Sequence, residues 1–164
     1  MKNLIFIMLT SILIISCNSS DDHNNENSYY NLSTGIDFLV TNQNGDDLLN
    51  PNTLNAYSSE NIKIFYLKDG VVEETYNPNL DFPRNFVIVS PEDSGAETYF
   101  MRIFLNNSVS DNAITYIEWN ETDTDTIRAN FNNGDNYSMV TKAWYNEELV
   151  FDESIYTLFT IIKN

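Results

Sequence analysis

"TYFMRIFLN", residues 98–106, alternates strictly: Tyr99, Met101, Ile103 and Leu105 fall on one side, Phe100, Arg102 and Phe104 on the other. A period of two is the spacing of an extended strand, whose side chains point to opposite faces in turn. The same period returns on either side of this stretch. "GIDFLVTN" (35–42) sets Ile36, Phe38 and Val40 against Asp37, Leu39 and Thr41. "NIKIFYL" (61–67) groups Ile62, Ile64 and Tyr66. "VVEETY" (71–76) follows Asp69-Gly70, a two-residue step suited to a tight hairpin because glycine accepts positive φ. "NFVIVS" (85–90) is an almost unbroken apolar run, as expected of a strand at a sheet centre or buried on both faces. "AITYIEW" (113–119), "TDTIRANF" (124–131), "YSMVTKAWY" (137–145), "ELVFD" (148–152) and "IYTLFTIIK" (155–163) complete the series. Within the second of these, Asp125, Ile127, Ala129 and Phe131 share a side.

β-Branched and aromatic residues dominate these runs, the types that fit a pleated, half-buried surface. Asn, Asp, Gly and Pro separate them, and no long helical stretch intervenes. About nine short strands at such spacing predict an all-β fold, a β-sandwich of antiparallel strands with immunoglobulin-like or related Greek-key topology. A membrane barrel would need evenly alternating spans of about 9–11 residues with aromatic girdles, and the apolar faces here are too aliphatic to line a polar lumen. "NNGDN" (132–136) reads as a turn in which Gly134 supplies the unusual backbone angle. "NGDDLLNPNTLNAYSSE" (44–60) is long for a hairpin connection, and reads as a surface loop, functional or partly ordered.

The front of the chain differs in kind. One Lys precedes "LIFIMLTSILII" (4–15), too short for a spanning helix of roughly 20 residues. A positive start, a short apolar block and then a small residue is the layout of a secretory signal peptide. The small residue is Ser16, directly before Cys17, the chain's only cysteine. Ile14-Ile15-Ser16-Cys17 resembles the bacterial lipobox. That resemblance implies cleavage after Ser16, a diacylglyceryl group on the Cys17 thiol and an acylated new amino terminus. One acyl chain anchors only marginally, whereas two or more hold firmly. "NSSDDHNNENS" (18–28) lacks any aliphatic or aromatic residue and reads as a flexible tether. Ser19-Ser20-Asp21-Asp22 resembles the surface-export signal of Bacteroidota lipoproteins, implying the outer membrane with the domain facing outward. "DDLLNP" (46–51), "NIKIFYLKDG" (61–70) and "YNPNLDFP" (76–83) are similar to small flavobacterial-type lipoproteins of that phylum, a likeness that carries no catalytic or binding residues. The expected organisation is a leader over 1–16, a lipidated and tethered segment over 17–33, and one domain over 34–164.

The precursor has 24 acids, 8 bases and a net charge of −16. Phosphate backbones demand clustered Lys and Arg, so nucleic acid is not an expected partner. The expected partners are the membrane, through the lipid, and an envelope protein or a glycan. His23, the single histidine, lies in the tether, so catalysis by Ser-His-Asp or Cys-His and zinc sites of His and Cys are not expected in the domain. Carboxylate chemistry stays open at Glu118, Glu121, Asp123 and Asp125, with Glu121, Asp123 and Asp125 on one face of an extended segment. No cofactor is expected, apart from structural calcium at Asp123, Asp125 and Asp135, whose segments are oxygen-rich but lack EF-hand spacing. Trp119, Trp144 and Tyr145 are candidate ligand-stacking rings at strand ends. Asp125-Thr126-Ile127 resembles the short O-glycosylation motif of exported Bacteroidota proteins, which would place a glycan on Thr126. Three functions follow: a non-enzymatic surface binding module, an accessory subunit of an envelope complex, and a carboxylate-dependent glycan hydrolase.

Overall fold

The computed structural model describes residues 30–154 and 158–164. The leader, Cys17, His23 and the acidic stretch behind them lie outside the described residues. Eleven strands and one helical turn follow in order: β1 (Asn31–Ser33), β2 (Gly35–Asn42), β3 (Lys63–Lys68), β4 (Val71–Glu74), β5 (Phe86–Val89), α1 (Pro91–Ser94), β6 (Phe100–Phe104), β7 (Ala113–Asn120), β8 (Asp123–Gly134), β9 (Tyr137–Tyr145), β10 (Glu148–Asp152) and β11 (Phe159–Lys163). They form two sheets. The larger, sheet A, has the order β1-β9-β8-β7-β3-β4 with β10 also beside β9; the smaller, sheet B, is β11-β2-β6-β5. β2-β6-β5 across from β3-β7-β8 is the B-E-D and C-F-G order of an immunoglobulin sandwich. The alternating rows meet between the sheets: Ile36, Phe38 and Val40 of β2 and Met101 and Ile103 of β6 are buried with Ile64 of β3, Ile117 of β7 and Ile127 of β8.

Several expectations are corrected. The sheets are mixed rather than antiparallel, because β1 runs parallel to β9 and β11 parallel to β2. A parallel pair needs a long crossover, and most of the chain lies between the members of each pair. Asn31–Ser33, placed inside the tethered segment 17–33, pairs with Tyr137–Met139 as β1. The apolar run of β5 occupies an edge, not a centre. Its excess apolar surface is walled by the preceding loop, where Phe82 and Pro83 share a groove with Val87 and Ile88. The Asp69-Gly70 hairpin turn forms as expected, both residues having positive φ (51° and 81°). Gly134 does not supply a turn angle: it ends β8, where an added Cβ would come within 2.3 Å of the Tyr137 ring. Close approach explains it.

The 44–60 stretch is folded against the sandwich. Leu48 donates its amide to Val40 O at 2.8 Å, Tyr57 donates to Leu48 O at 2.8 Å, and Leu48 and Leu49 are buried. Two leucines drawn into the core, each worth roughly 1.5–3 kcal/mol, hold a segment whose composition reads as loop.

Asn106 is the bulkiest of the fully buried neutral polar side chains. Asn106, 1% exposed, donates Nδ2 to Leu67 O (2.8 Å) and Ile114 O (3.1 Å), and its Oδ1 accepts from the Ser108 amide (3.1 Å). It thereby ties the β6–β7 connection to β3 and to β7. Removing it orphans two carbonyls and an amide that water reaches poorly. Asn106→Leu is expected to lower unfolding free energy by about 2–4 kcal/mol, at roughly 1–3 kcal/mol per unsatisfied buried group. Urea titration would check this; a loss below half a kilocalorie would refute the bracing role.

Candidate functional site

At one end of the sandwich the last strand meets β8 across the two sheets. Lys163 shares its inward parity with buried Ile161, so its ammonium points into the interior, where the side chain is 8% exposed. Lys163 Nζ donates to Asp123 Oδ1 at 2.8 Å and to Asp125 Oδ2. Its charge also lies 5.0 Å from the centroid of Trp119. Asp125 collects three more donors: Trp119 Nε1 to Oδ2 at 2.6 Å, Asn146 Nδ2 to Oδ1 at 2.7 Å, and the Tyr145 hydroxyl to Oδ2. Burial pushes the Asp125 carboxyl up, but the hydrogen bonds from Lys163, Tyr145, Asn146 and Trp119 outweigh it and hold the group below its ordinary value. Burial and the neighbouring Asp125 carboxylate drive the Tyr145 phenol far above its usual range. Tyr57, donating to Asp123 Oδ2 at 3.3 Å, is pushed up to about 12 by burial and then by Asp123.

Four of the candidate residues thus converge: Trp119, Tyr145, Asp123 and Asp125. They do so as a closed centre. Trp119 is corrected as a ligand-stacking ring, because it is 1% exposed and packed on Tyr57 and Phe38. Tyr145 is partly covered, with its hydroxyl committed to Asp125. The calcium candidates do not converge. Asp123 and Asp125 face Lys163, while Asp135 lies beyond the opposite end of the 12-residue β8. Nor do the carboxylates group as one row. Glu121 sits in the exposed β7–β8 turn, and Glu118, on the outward side of β7, pairs with Lys63 at 2.9 Å. Thr126 also points outward, its amide donating to Asn146 Oδ1 at 2.9 Å.

Trp144 leads to a second assembly, on the outer side of sheet A. Cross-strand partners share a face, so the register gives the outward rows: Ile114, Arg128, Trp144 and Leu149 line up over four strands, with the Leu67–Val72 pair of β3 and β4 on the same side. A neighbouring row holds Glu74, Phe65, Tyr116 and Thr126. Val72 and Leu149 are each 51% exposed, and the rings between them are partly exposed. At the centre the Arg128 guanidinium lies 3.9 Å from the Trp144 centroid, held there by Asn112 Oδ1 (3.2 Å) and Glu147 Oε2 (3.3 Å). Glu147 can reach it because Asn146 and Glu147 take the two left-handed positions (φ 45° and 72°) of the tight β9–β10 turn. Lys63–Glu118 and Lys142–Asp152 (3.4 Å) flank the apolar centre. Unmatched aromatic and aliphatic side chains on an outward face, framed by ion pairs, can dock a complementary surface. The inward rows alone do not reveal this; the signal was the presence of Phe65, Leu67, Ile114 and Tyr116 on the solvent side of amphipathic strands.

Lys163→Met is expected to cost about 3–5 kcal/mol in a urea titration, the usual penalty for breaking a buried pair from one side. The pH sign follows from Asp125. Its folded value lies below the ordinary 3.8, so its contribution is complete above that pH and drains away as pH falls below it. Stability of the wild type minus that of Asp125→Asn should therefore be constant at neutral pH and shrink below about pH 4. A difference that grew on acidification would contradict the ionised assignment.

Comparison with protein-family models, curated proteins and solved structures returns no match for the chain.

Proposed function

We propose that this chain is a lipid-anchored envelope protein that acts without catalysis, docking a partner through the outer face of sheet A. The single observation behind the reading is the outward row Ile114, Arg128, Trp144 and Leu149, with Phe65, Tyr116 and the Leu67–Val72 pair on the same face. Aromatic rings and arginine are the residue types that dominate binding energy at protein interfaces. Arg128 and Trp144 already hold each other, so little side-chain freedom remains to be lost on docking. The flatness and width of the patch suit a protein surface better than the cleft a single sugar chain would fill. Support for the anchor is the lipobox-like Ile14-Ile15-Ser16-Cys17, and support for outward display is the acidic tether behind it.

An accessory role in an envelope complex has one observation in its favour. β4 is an edge strand with all four residues exposed, Val71 (57%) and Val72 (51%) among them. A free edge of this kind can accept a partner strand.

Two measurements test the proposal in cells. Cys17→Ala should move the chain from the membrane to the soluble fraction; unchanged fractionation would remove the anchor. A photo-cross-linking residue at Thr126, on the outer face of sheet A, should yield discrete adducts, whereas one at exposed Thr160 of β11 should not. Equal labelling from both positions, or none from Thr126, would overturn the docking face.

A further inference from the structure

Resting on that docking face, we propose that its occupant is a second copy of the same chain, packed sheet to sheet about a two-fold axis.

Charge is the first reason. Two molecules each carrying −16 repel, and contact is tolerable only where the repulsion is locally cancelled. The outer face of sheet A meets this condition. Its cations Lys63, Arg128 and Lys142 each pair with an acid on the same side: Glu118, Glu147 and Asp152. With Glu74 beside Phe65, the face carries four acids against three cations, close to neutral for a chain of this charge.

Shape is the second. Sheets pack face to face at about 10 Å when their facing side chains interdigitate, which is how the two sheets within this molecule already meet. Six strands at a spacing of about 4.8 Å span roughly 30 Å, and the outward rows from Thr124 to Asn130 span roughly 20 Å. With side-chain relief, such a patch approaches the ~800 Å² that each partner gives to a standard interface.

Symmetry is the third. An isologous interface requires one patch to complement itself. Lys63–Glu118 lies at one corner of the face, where β3 and β7 meet the Thr124 row. Lys142–Asp152 lies at the diagonally opposite corner, where β9 and β10 meet the Asn130 row. A two-fold axis along the other diagonal brings the Lys63–Glu118 pair of each copy opposite the Lys142–Asp152 pair of the other. Lys63 then meets Asp152 across the interface, Glu118 meets Lys142, and the apolar rows with Arg128 and Trp144 face each other at the centre. Retention of both copies in one membrane plane would raise their effective concentration.

The test is the mass of the full, detergent-solubilised chain over a concentration series, by sedimentation. The expected result is a dimer, with dissociation constants raised about tenfold or more by Trp144→Ala or Leu149→Glu, as for central interface residues. Lys63→Glu alone should weaken the dimer, and Lys63→Glu combined with Asp152→Lys should restore it. Within a single copy the double variant breaks both ion pairs, so rescue can only come from a contact between copies. Circular dichroism melts of each variant separate lost association from lost folding, and Thr126→Arg offers a second disruption where a core effect is excluded. A monomer at every concentration, or a dimer indifferent to these changes, would overturn the proposal. If cross-links from Thr126 then lead to a different protein, the second copy is rejected while the docking face stands; if Thr126 gives no adduct at all, both fall.

Discussion

A lysine ammonium cannot stay in an apolar interior unless carboxylates meet it there, because desolvating an ion costs several kilocalories per mole even after relaxation. Lys163 imposes that condition on the whole end of the molecule. Apolar contacts between two sheets are non-directional and tolerate sliding, whereas the ion pair between β11 and β8 does not. A slip of β11 by one residue would send Lys163 outward and bring exposed Ile162 to the carboxylates. Once Asp125 is fixed, Trp119 and Tyr145 are oriented by the hydrogen bonds they give it. Tyr57 packs on Trp119 and reaches Asp123, so the long 44–60 segment is positioned by the same centre. A single buried charge thus sets strand register, ring orientation and loop placement together.

The parts of this architecture that were legible in the sequence are those governed by local periodicity. Ile36, Phe38 and Val40, then Met101, Ile103 and Leu105, then Ile127, Ala129 and Phe131 are all buried, because a period of two assigns faces without reference to any other strand. What depended on distant residues was not legible. β5 reads like a central strand, yet its neighbour on one side is a loop, and the apolar pattern is the same for either cover. The parallel pairings of β1 and β11 join segments far apart in the chain, which no window of local sequence registers. Gly134 carries the composition of a turn, but its role is steric relief for a ring three residues on. Trp119 reads as a strand-end ring, and becomes core because Phe38 of the other sheet and Tyr57 of the 44–60 segment both pack on it. Lys163 had one visible sign, inward parity beside Ile161, but its acids are some forty residues away.

Charge is distributed with the same economy. Among the described residues, Lys63, Arg102, Arg128, Lys142 and Lys163 stand in ion pairs, while Lys68 and Arg84 lie 5.5 and 5.7 Å from the rings of Tyr66 and Tyr76. Every cation of the described domain is therefore engaged within the chain, while acids are in large excess. Such a surface presents no stripe of positive charge along which a polyanion could lie. It keeps other acidic surfaces at a distance, except where cations nearly balance the acids.

That exception coincides with the apolar outer rows of sheet A, and the coincidence has a physical consequence. Solvent-facing pairs such as Lys63–Glu118 contribute little to folding in water, because solvent and salt screen them. The attraction within these pairs strengthens when a second surface excludes water, because the effective dielectric falls, and it works against the cost of desolvating the charges. Arg128 is placed to respond most. Its side chain is 23% exposed and already meets Trp144, Asn112 and Glu147, so covering it strengthens existing contacts without rearranging any. Rings on this side of the sheet gain from being covered, and the ion pairs there exchange solvation for a stronger mutual attraction, whereas the Lys163 centre is already dry. The two polar assemblies differ accordingly: one holds the sandwich together from inside, and the other stands on the partly exposed outer side of sheet A.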